Sequence, residues 1–213
     1  MSARCCAGPE GNSIDPLYRR VLWIALVVNA AMLMVEVGAG ALSGSAALLA
    51  DAVDFFGDAA NYGVSLAVLA LAPVWRSRAA LIKGCTMGAF GLFVLGKTIW
   101  NAASGTIPEP LTMGAVAVLA LLANVGVAVM LYKYRGGDAN MRSVWLCSRN
   151  DAIGNVAVML AAFGVFGTGS GWPDTAVAAA LGILALFAAK SVIVQSLLEL
   201  NKPPEHAHHD AIT

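Results

Sequence analysis

Three aspartates interrupt an otherwise apolar stretch of the chain near residue 50. On a helix that turns about 100° per residue, Asp51, Asp54 and Asp58 share one face. Asn61 and Ser65 continue the same stripe. An ionised aspartate at the centre of a bilayer costs about 2.5–3.5 kcal/mol even on a lenient insertion scale. Such residues face the interior of a helix bundle, where they mark a path for ions, protons or a substrate.

A second polar pair, Asp151 and Asn155, lies four residues apart in a later apolar stretch, so one helix face carries both side chains. Asp54 and Asp58 have the same spacing, which separates them by about 6 Å along a helix axis. Together, these four residues could supply four oxygen ligands from two facing helices. Carboxylate and amide oxygens suit hard or borderline divalent ions, and a bound cation would offset the cost of burying the acids. When the metal leaves, buried carboxyl groups should take up protons, which gives metal-for-proton exchange a physical basis.

Other residues are secondary candidates for the same site. Glu36 and Asn29 lie seven residues apart on the first apolar stretch and share a face that should look into the polar interior. Asp51 fits a ligand path and a packing or helix-start position equally well. Cys147, one turn before Asp151, would favour cobalt, zinc or cadmium if it bound the metal, whereas a site without it favours manganese or iron. Against ligation, a buried free cysteine more often only packs.

The alternative to a metal site is structural pairing within the bundle. A single buried aspartate could pair with Lys97 or Lys190, which also lie within apolar stretches and could instead reach towards the membrane surface. Two lysines cannot satisfy so many acids, so the clustering favours an ion site.

Composition indicates a polytopic membrane protein. The 213 residues are 59% hydrophobic and 12% charged, with a mean hydropathy of +0.74, whereas soluble domains carry about 25% charged residues. The formal net charge is zero, which gives no reason to expect a nucleic-acid partner.

We predict an all-α protein with six transmembrane helices. The apolar spans are 21–42, 46–73, 79–103, 111–132, 142–167 and 174–198. They form a transporter domain over residues 19–200, between a tail at 1–18 and a short His-containing tail at 201–213. Lys and Arg residues concentrate in the two tails and in the second and fourth connections. By the positive-inside rule, both termini are therefore expected in the cytoplasm.

The two tails could capture metal. Cys5 and Cys6 lie on the same predicted side of the membrane as a histidine group. That group comprises His206, His208 and His209. A short tail of this kind is also often only a solvated end.

The chain resembles the cation diffusion facilitator family of membrane transporters. The resemblance covers the segment from Ser43 to Asp51, the following Asp-x-x-x-Asp at Asp54 and Asp58, the four-residue pair in the fifth span, and more weakly residues 195–200. It implies six helices and antiport of a divalent metal against protons, with export from the cytoplasm. It also implies a tetrahedral site shared between the second and fifth helices, at Asp54, Asp58, Asp151 and Asn155.

Two features depart from the family pattern. Zinc-transporting relatives usually have His-x-x-x-Asp where this chain has Asp151 and Asn155, which weakens the case for zinc. Members also commonly carry a cytoplasmic metal-binding, dimerising domain after the sixth helix, so we expect a short form that lacks it. A homodimer would then need another interface, such as close helix contact through Gly84-x-x-x-Gly88.

The sequence therefore predicts a secondary transporter, not an enzyme, that exports a cobalt, zinc, cadmium, iron or manganese ion in exchange for protons. The sequence contains no Walker A motif, so we expect ion gradients to drive transport. We also expect no fixed prosthetic group and a location in the bacterial inner membrane. A metal sensor or assembly partner that never transports is the main alternative. A thiol redox protein is a weaker one, because Cys5, Cys6, Cys85 and Cys147 lack a suitable spacing.

Overall fold

The computed structural model describes residues 16–67, 73–134 and 139–201, apart from the side chains of 73, 74, 76 and 139–147. These residues form six α-helices, which confirms the predicted all-α polytopic architecture. They are α1 (Pro16–Ser43), α2 (Ala46–Ala67), α3 (Pro73–Ser104), α4 (Pro110–Tyr132), α5 (Ala139–Thr168) and α6 (Trp172–Leu200). Within the described residues, every helix except α2 contains a stretch that is long and apolar enough to cross a membrane. The described length of α2 is 22 residues, so every 18-residue stretch of it contains all three aspartates.

Proline begins several of the helices. Pro16, Pro73 and Pro110 are the first residues of α1, α3 and α4, and Pro173 lies in the first turn of α6. The fixed φ of proline fits the first helical turn, where its missing N–H has no partner to lose. The prediction that Pro73 ends the second span was therefore wrong, because this residue starts α3. Helix α1 likewise begins inside the segment predicted as a tail.

Helix α2 lies at the centre of the bundle. It contacts each of the other five helices, while α1 packs most extensively against α2, α3 against α6, and α4 against α5. Protein thus surrounds the helix that carries the acids. A lipid-exposed position would leave those carboxyl groups in hydrocarbon. The central position of α2 therefore avoids the free-energy cost of exposing its acids to lipid.

Small residues bring α3 and α6 into close contact. A Cβ added at Gly84 would lie 2.9 Å from Ile193 Cγ1 and 3.3 Å from the Ile193 backbone nitrogen. One at Gly88 would lie 3.6 Å from Ala189 Cβ. The Gly84-x-x-x-Gly88 pattern therefore serves a contact within one chain. The expectation that these glycines offer a homodimer interface is corrected accordingly.

The turn between α1 and α2 is bound to three other helices at one end of the bundle. Its Gly44 has a φ of 75°, a conformation that favours glycine. The Asn101 side-chain amide donates to the Gly44 carbonyl at 2.8 Å, and the Glu109 backbone N–H donates to the Ser43 carbonyl at 3.0 Å. Asp174 of α6 accepts hydrogen bonds from the residues that begin α2.

Asp174 caps the N-terminus of α2 from another helix. It accepts hydrogen bonds from the Ser45 hydroxyl at 2.6 Å and from the backbone N–H groups of Ala46 and Ala47 at 3.0 and 3.1 Å. The side chain is only 1% exposed. A carboxylate at a helix N-terminus satisfies the unpaired N–H groups and complements the positive end of the helix dipole. This contact therefore fixes the start of the acid-bearing helix.

Helix α4 has an exposed cap of its own. Glu109 accepts hydrogen bonds from the backbone N–H groups of Leu111 and Thr112. Hydrogen bonds from the Thr112 side chain and then from these two backbone groups lower the pKa of the Glu109 carboxyl. The cap is thus strongest when Glu109 is ionised.

Candidate metal site

The acidic stripe of α2 lies inside the bundle. Asp51 and Asp58 are 1% and 5% exposed, and Ser65 is also buried. Asp54 and Asn61 are half-buried on the same helix. The helical spacing therefore carries these polar groups to the interior, as the stripe predicts.

Asp58 of α2 faces Asp151 of α5. Their carboxyl groups lie within hydrogen-bonding reach of each other, and Asp151 is 7% exposed. Asp54 is close enough to interact electrostatically with both of them. Two carboxyl groups in contact repel each other unless a proton or a cation lies between them. The arrangement can hold either.

Asn155 lies one turn after Asp151 on α5 and is fully buried. Neither its amide oxygen nor its amide nitrogen has a hydrogen-bond partner within the described residues. A buried amide normally has at least one partner, so such an unpaired group calls for an explanation. Its oxygen has the chemistry required of a ligand to a hard cation.

The carboxyl pair is not a complete coordination shell. Over 16–67, 73–134 and 139–201, no group of three or more His, Cys, Asp and Glu side chains converges as it would around a metal ion. The structure brings Asp58 and Asp151 together, with Asp54 nearby and Asn155 on the adjacent turn. The four-ligand set stays a prediction.

A second carboxyl pair joins α1 to α2. Glu36 and Asp51 approach closely enough to share a hydrogen bond if one of them is protonated. Glu36 is fully buried, and its two oxygens have no other partner among the described side chains. Asp51 Oδ1 also lies 4.0 Å from the position of a Cβ at Gly154, so α5 passes beside it. Asp51 is therefore a packed interior residue between three helices.

The remaining candidates are placed differently. Asn29 is buried, as its predicted face requires, but its amide nitrogen donates to the Ala25 carbonyl of its own helix at 2.8 Å. Cys85 is a free, exposed cysteine. The side chains of Cys5, Cys6, Cys147, His206, His208 and His209 lie outside the described residues.

Two polar contacts at the site were missed by sequence reasoning. The Tyr62 hydroxyl donates to Asp58 Oδ2 at 2.9 Å and lies 2.8 Å from the Ser148 hydroxyl of α5. Lys83 of α3 donates to the Asn61 amide oxygen. Tyr62 follows Asp58 by four residues, which was a detectable signal. Lys83 lies inside α3, where its side chain is 7% exposed.

Tyr62 also belongs to an apolar layer beside the acids. It packs with the buried Tyr18 and Leu22 of α1 and with Val127 and Leu131 of α4. This layer lies at the end of the bundle where α1 begins and where α2 and α4 end. It packs α1 and α4 against the acid-bearing helix at that end.

The fold and the buried carboxyl pair define an integral, multi-pass membrane protein with titratable groups at the centre of its helix bundle. The family profile described as "Cation efflux transmembrane domain" matches residues 22–201. The chain therefore belongs to the cation efflux family, which confirms the predicted family resemblance.

Several curated proteins are similar to this chain. It is 28% identical to the metal cation efflux system protein CzcD of Cupriavidus metallidurans, over 84% of this chain and 58% of the relative. It is 31% identical to the zinc transporter ZitB of Escherichia coli, over 90% of this chain and 64% of the relative. A cadmium, cobalt and zinc/H(+)-K(+) antiporter of Bacillus subtilis is 25% identical, over 87% and 64%. The chain thus spans about three-fifths of the length of the curated relatives it matches.

Proposed function

We propose that this protein exports a divalent transition-metal ion from the cytoplasm in exchange for protons. The substrate is drawn from the cobalt, zinc, cadmium, iron and manganese class. The names of the relatives support metal efflux, since they include zinc, cadmium and cobalt transporters. We place the protein in a bacterial inner membrane with both termini in the cytoplasm, in accord with the bacterial relatives and with the distribution of basic residues.

The observation that carries this proposal is the closeness of the buried Asp58 and Asp151 side chains across the α2–α5 interface, where the Tyr62 hydroxyl joins Asp58 to Ser148 of α5. The two acids come from two helices, so one cation between them would join α2 to α5. Asp54 and Asn155 are the remaining proposed ligands. Oxygen donors of this kind suit borderline and hard divalent ions.

Proton exchange follows from the same contact. Without a cation, the pair stays together only if a proton is shared between the two carboxyl groups. An arriving divalent ion would displace that proton, and its release on the other side would allow reprotonation. Rocking of the helices about the acids would expose the site to each side in turn.

Metal flux into proteoliposomes with an imposed pH gradient tests the proposal. The panel contains zinc, cobalt, cadmium, iron and manganese. We expect Asp58→Asn and Asp151→Asn to reduce flux to background, because each removes one negative charge from the pair while keeping its size. Glu199→Gln is the matched control, since Glu199 is exposed on α6 and accepts the Ser77 hydroxyl at 2.8 Å, a bond that glutamine can keep.

Transport by Asp58→Asn at the wild-type rate would reject the assignment of this site. A wild-type protein that binds metal but carries none across the bilayer would instead favour a sensor or assembly partner.

A further inference from the structure

Lys83 is a positive charge within the membrane-spanning part of the bundle. It lies in the apolar Ser77–Ser104 segment of α3, yet its side chain is only 7% exposed. Burying an ammonium group is costly, so a lysine inside a membrane bundle usually has a functional reason. The proposed ligand set does not include this lysine.

The contacts of Lys83 direct its charge towards the carboxyl pair. Its ammonium donates to the amide oxygen of Asn61, one turn after Asp58 on the acidic stripe. Lys83 is also close enough to Asp58 to interact with it electrostatically. Asn61 is neutral and cannot cancel the lysine charge. The ammonium therefore acts on the nearest acid of the pair.

The position of Lys83 places it on one side of the proposed site. Asn61 follows Asp58 towards the C-terminal end of α2, which is the end of the bundle where α1 begins beside Arg19 and Arg20. The charge thus lies between the acids and the end of the bundle that we assign to the cytoplasm.

We propose that the Lys83 ammonium is a fixed positive charge that weakens metal binding at the Asp58–Asp151 pair and speeds release of the metal. This inference rests on the proposed function. A cluster of acids in an apolar bundle would hold a divalent ion tightly, whereas a transporter must also let it go. A nearby ammonium repels the bound ion and partly neutralises Asp58, so both effects favour release.

Transport kinetics of charge variants test the inference. In proteoliposomes that contain the full chain, we expect Lys83→Met and Lys83→Gln to lower the KM for Zn²⁺ or Co²⁺ by about tenfold. We also expect kcat to fall, because a tightly held ion leaves slowly. Lys83→Arg should keep both constants near the wild-type values, because it keeps the charge. Lys190→Met is the control for loss of a lysine, since Lys190 is exposed on α6.

Equilibrium binding of the same metal to the purified variants provides a second measurement that does not require turnover. Tighter binding by both neutral variants, but not by Lys83→Arg, supports the inference. Unchanged KM and affinity in an active Lys83→Gln protein overturn it and leave the proposed function intact. Loss of stability and flux in all three Lys83 variants also overturns it, since it would show a structural role. Absence of both binding and flux in the wild type would instead overturn the proposed function, and this inference with it.

Discussion

The Tyr62 hydroxyl links the two helices of the proposed site. It donates one hydrogen bond to Asp58 and so can only accept from Ser148 on α5. Tyr62 and Ser148 are 1% and 0% exposed. In such a dry position the bonds stabilise the ionised carboxylate and hold α2 against α5. A metal that binds Asp58 Oδ2 must compete with this hydroxyl.

A double-mutant cycle measures that link. We expect Tyr62→Phe and Ser148→Ala to show a coupling of about 0.5–1.5 kcal/mol in the free energy of unfolding, measured in mixed micelles. The physical reason is that each change removes the same hydrogen bond. The cycle of Tyr62→Phe with Ser104→Ala, at the end of α3, should be additive. Additivity in the first cycle would show that the Tyr62–Ser148 bond does not form.

At this scale the sequence predicts the acids better than their partners. The i, i+4 spacing of aspartates in apolar stretches identifies Asp54, Asp58 and Asp151, because no stable bundle would expose them to lipid. It does not identify Ser148 or Lys83 as neighbours. Their roles depend on which faces of α3 and α5 pack against α2. A single sequence does not specify how these helices are oriented relative to one another.

Among the helices, the close packing of α3 on α6 depends on glycines, which have no side chain at the contact. Gly84 and Gly91 of α3 lie against Ile193 and Leu186 of α6, and Gly182 of α6 lies against Leu95. Close approach of two membrane helices gains dispersion energy along their length. The hydropathy pattern locates both helices but does not say that they are partners. That is why the sequence suggested the same glycines for a contact between chains.

Alanine substitutions separate packing from helix propensity in α3. Gly84→Ala should destabilise the protein by about 1–3 kcal/mol, because its Cβ would overlap Ile193. Gly96→Ala should stabilise it by about 0.5–1 kcal/mol, because Gly96 is exposed on the same helix with nothing within 4 Å of its Cβ position. Unfolding in mixed micelles measures both.

Equal effects of Gly84→Ala and Gly96→Ala on stability would contradict the α3–α6 packing. A change in oligomeric state with unchanged monomer stability would restore the interpretation of Gly84 as a dimer contact.

Considering the whole molecule, the helix that carries three aspartates contacts all five of the others. Length and hydropathy are sufficient to predict six helices, and the described helices match the predicted spans to within a few residues at most ends. The central position of α2 follows from the cost of its three acids, which only a surround of five helices avoids. The Asp174 cap and the Asn101 contact fix the start of this helix at one end of the bundle. The apolar layer around Tyr62 packs α1 and α4 against α2 near the other end.

The central claim is that one divalent ion binds between α2 and α5. The most direct test is anomalous scattering from crystals of the protein loaded with zinc or cobalt. We expect one strong peak between Asp58 and Asp151, about 2.0–2.2 Å from carboxylate oxygens, with Asp54 and Asn155 completing the shell. A strong peak elsewhere, with the Asp58 and Asp151 carboxyl groups still in direct contact, would contradict it.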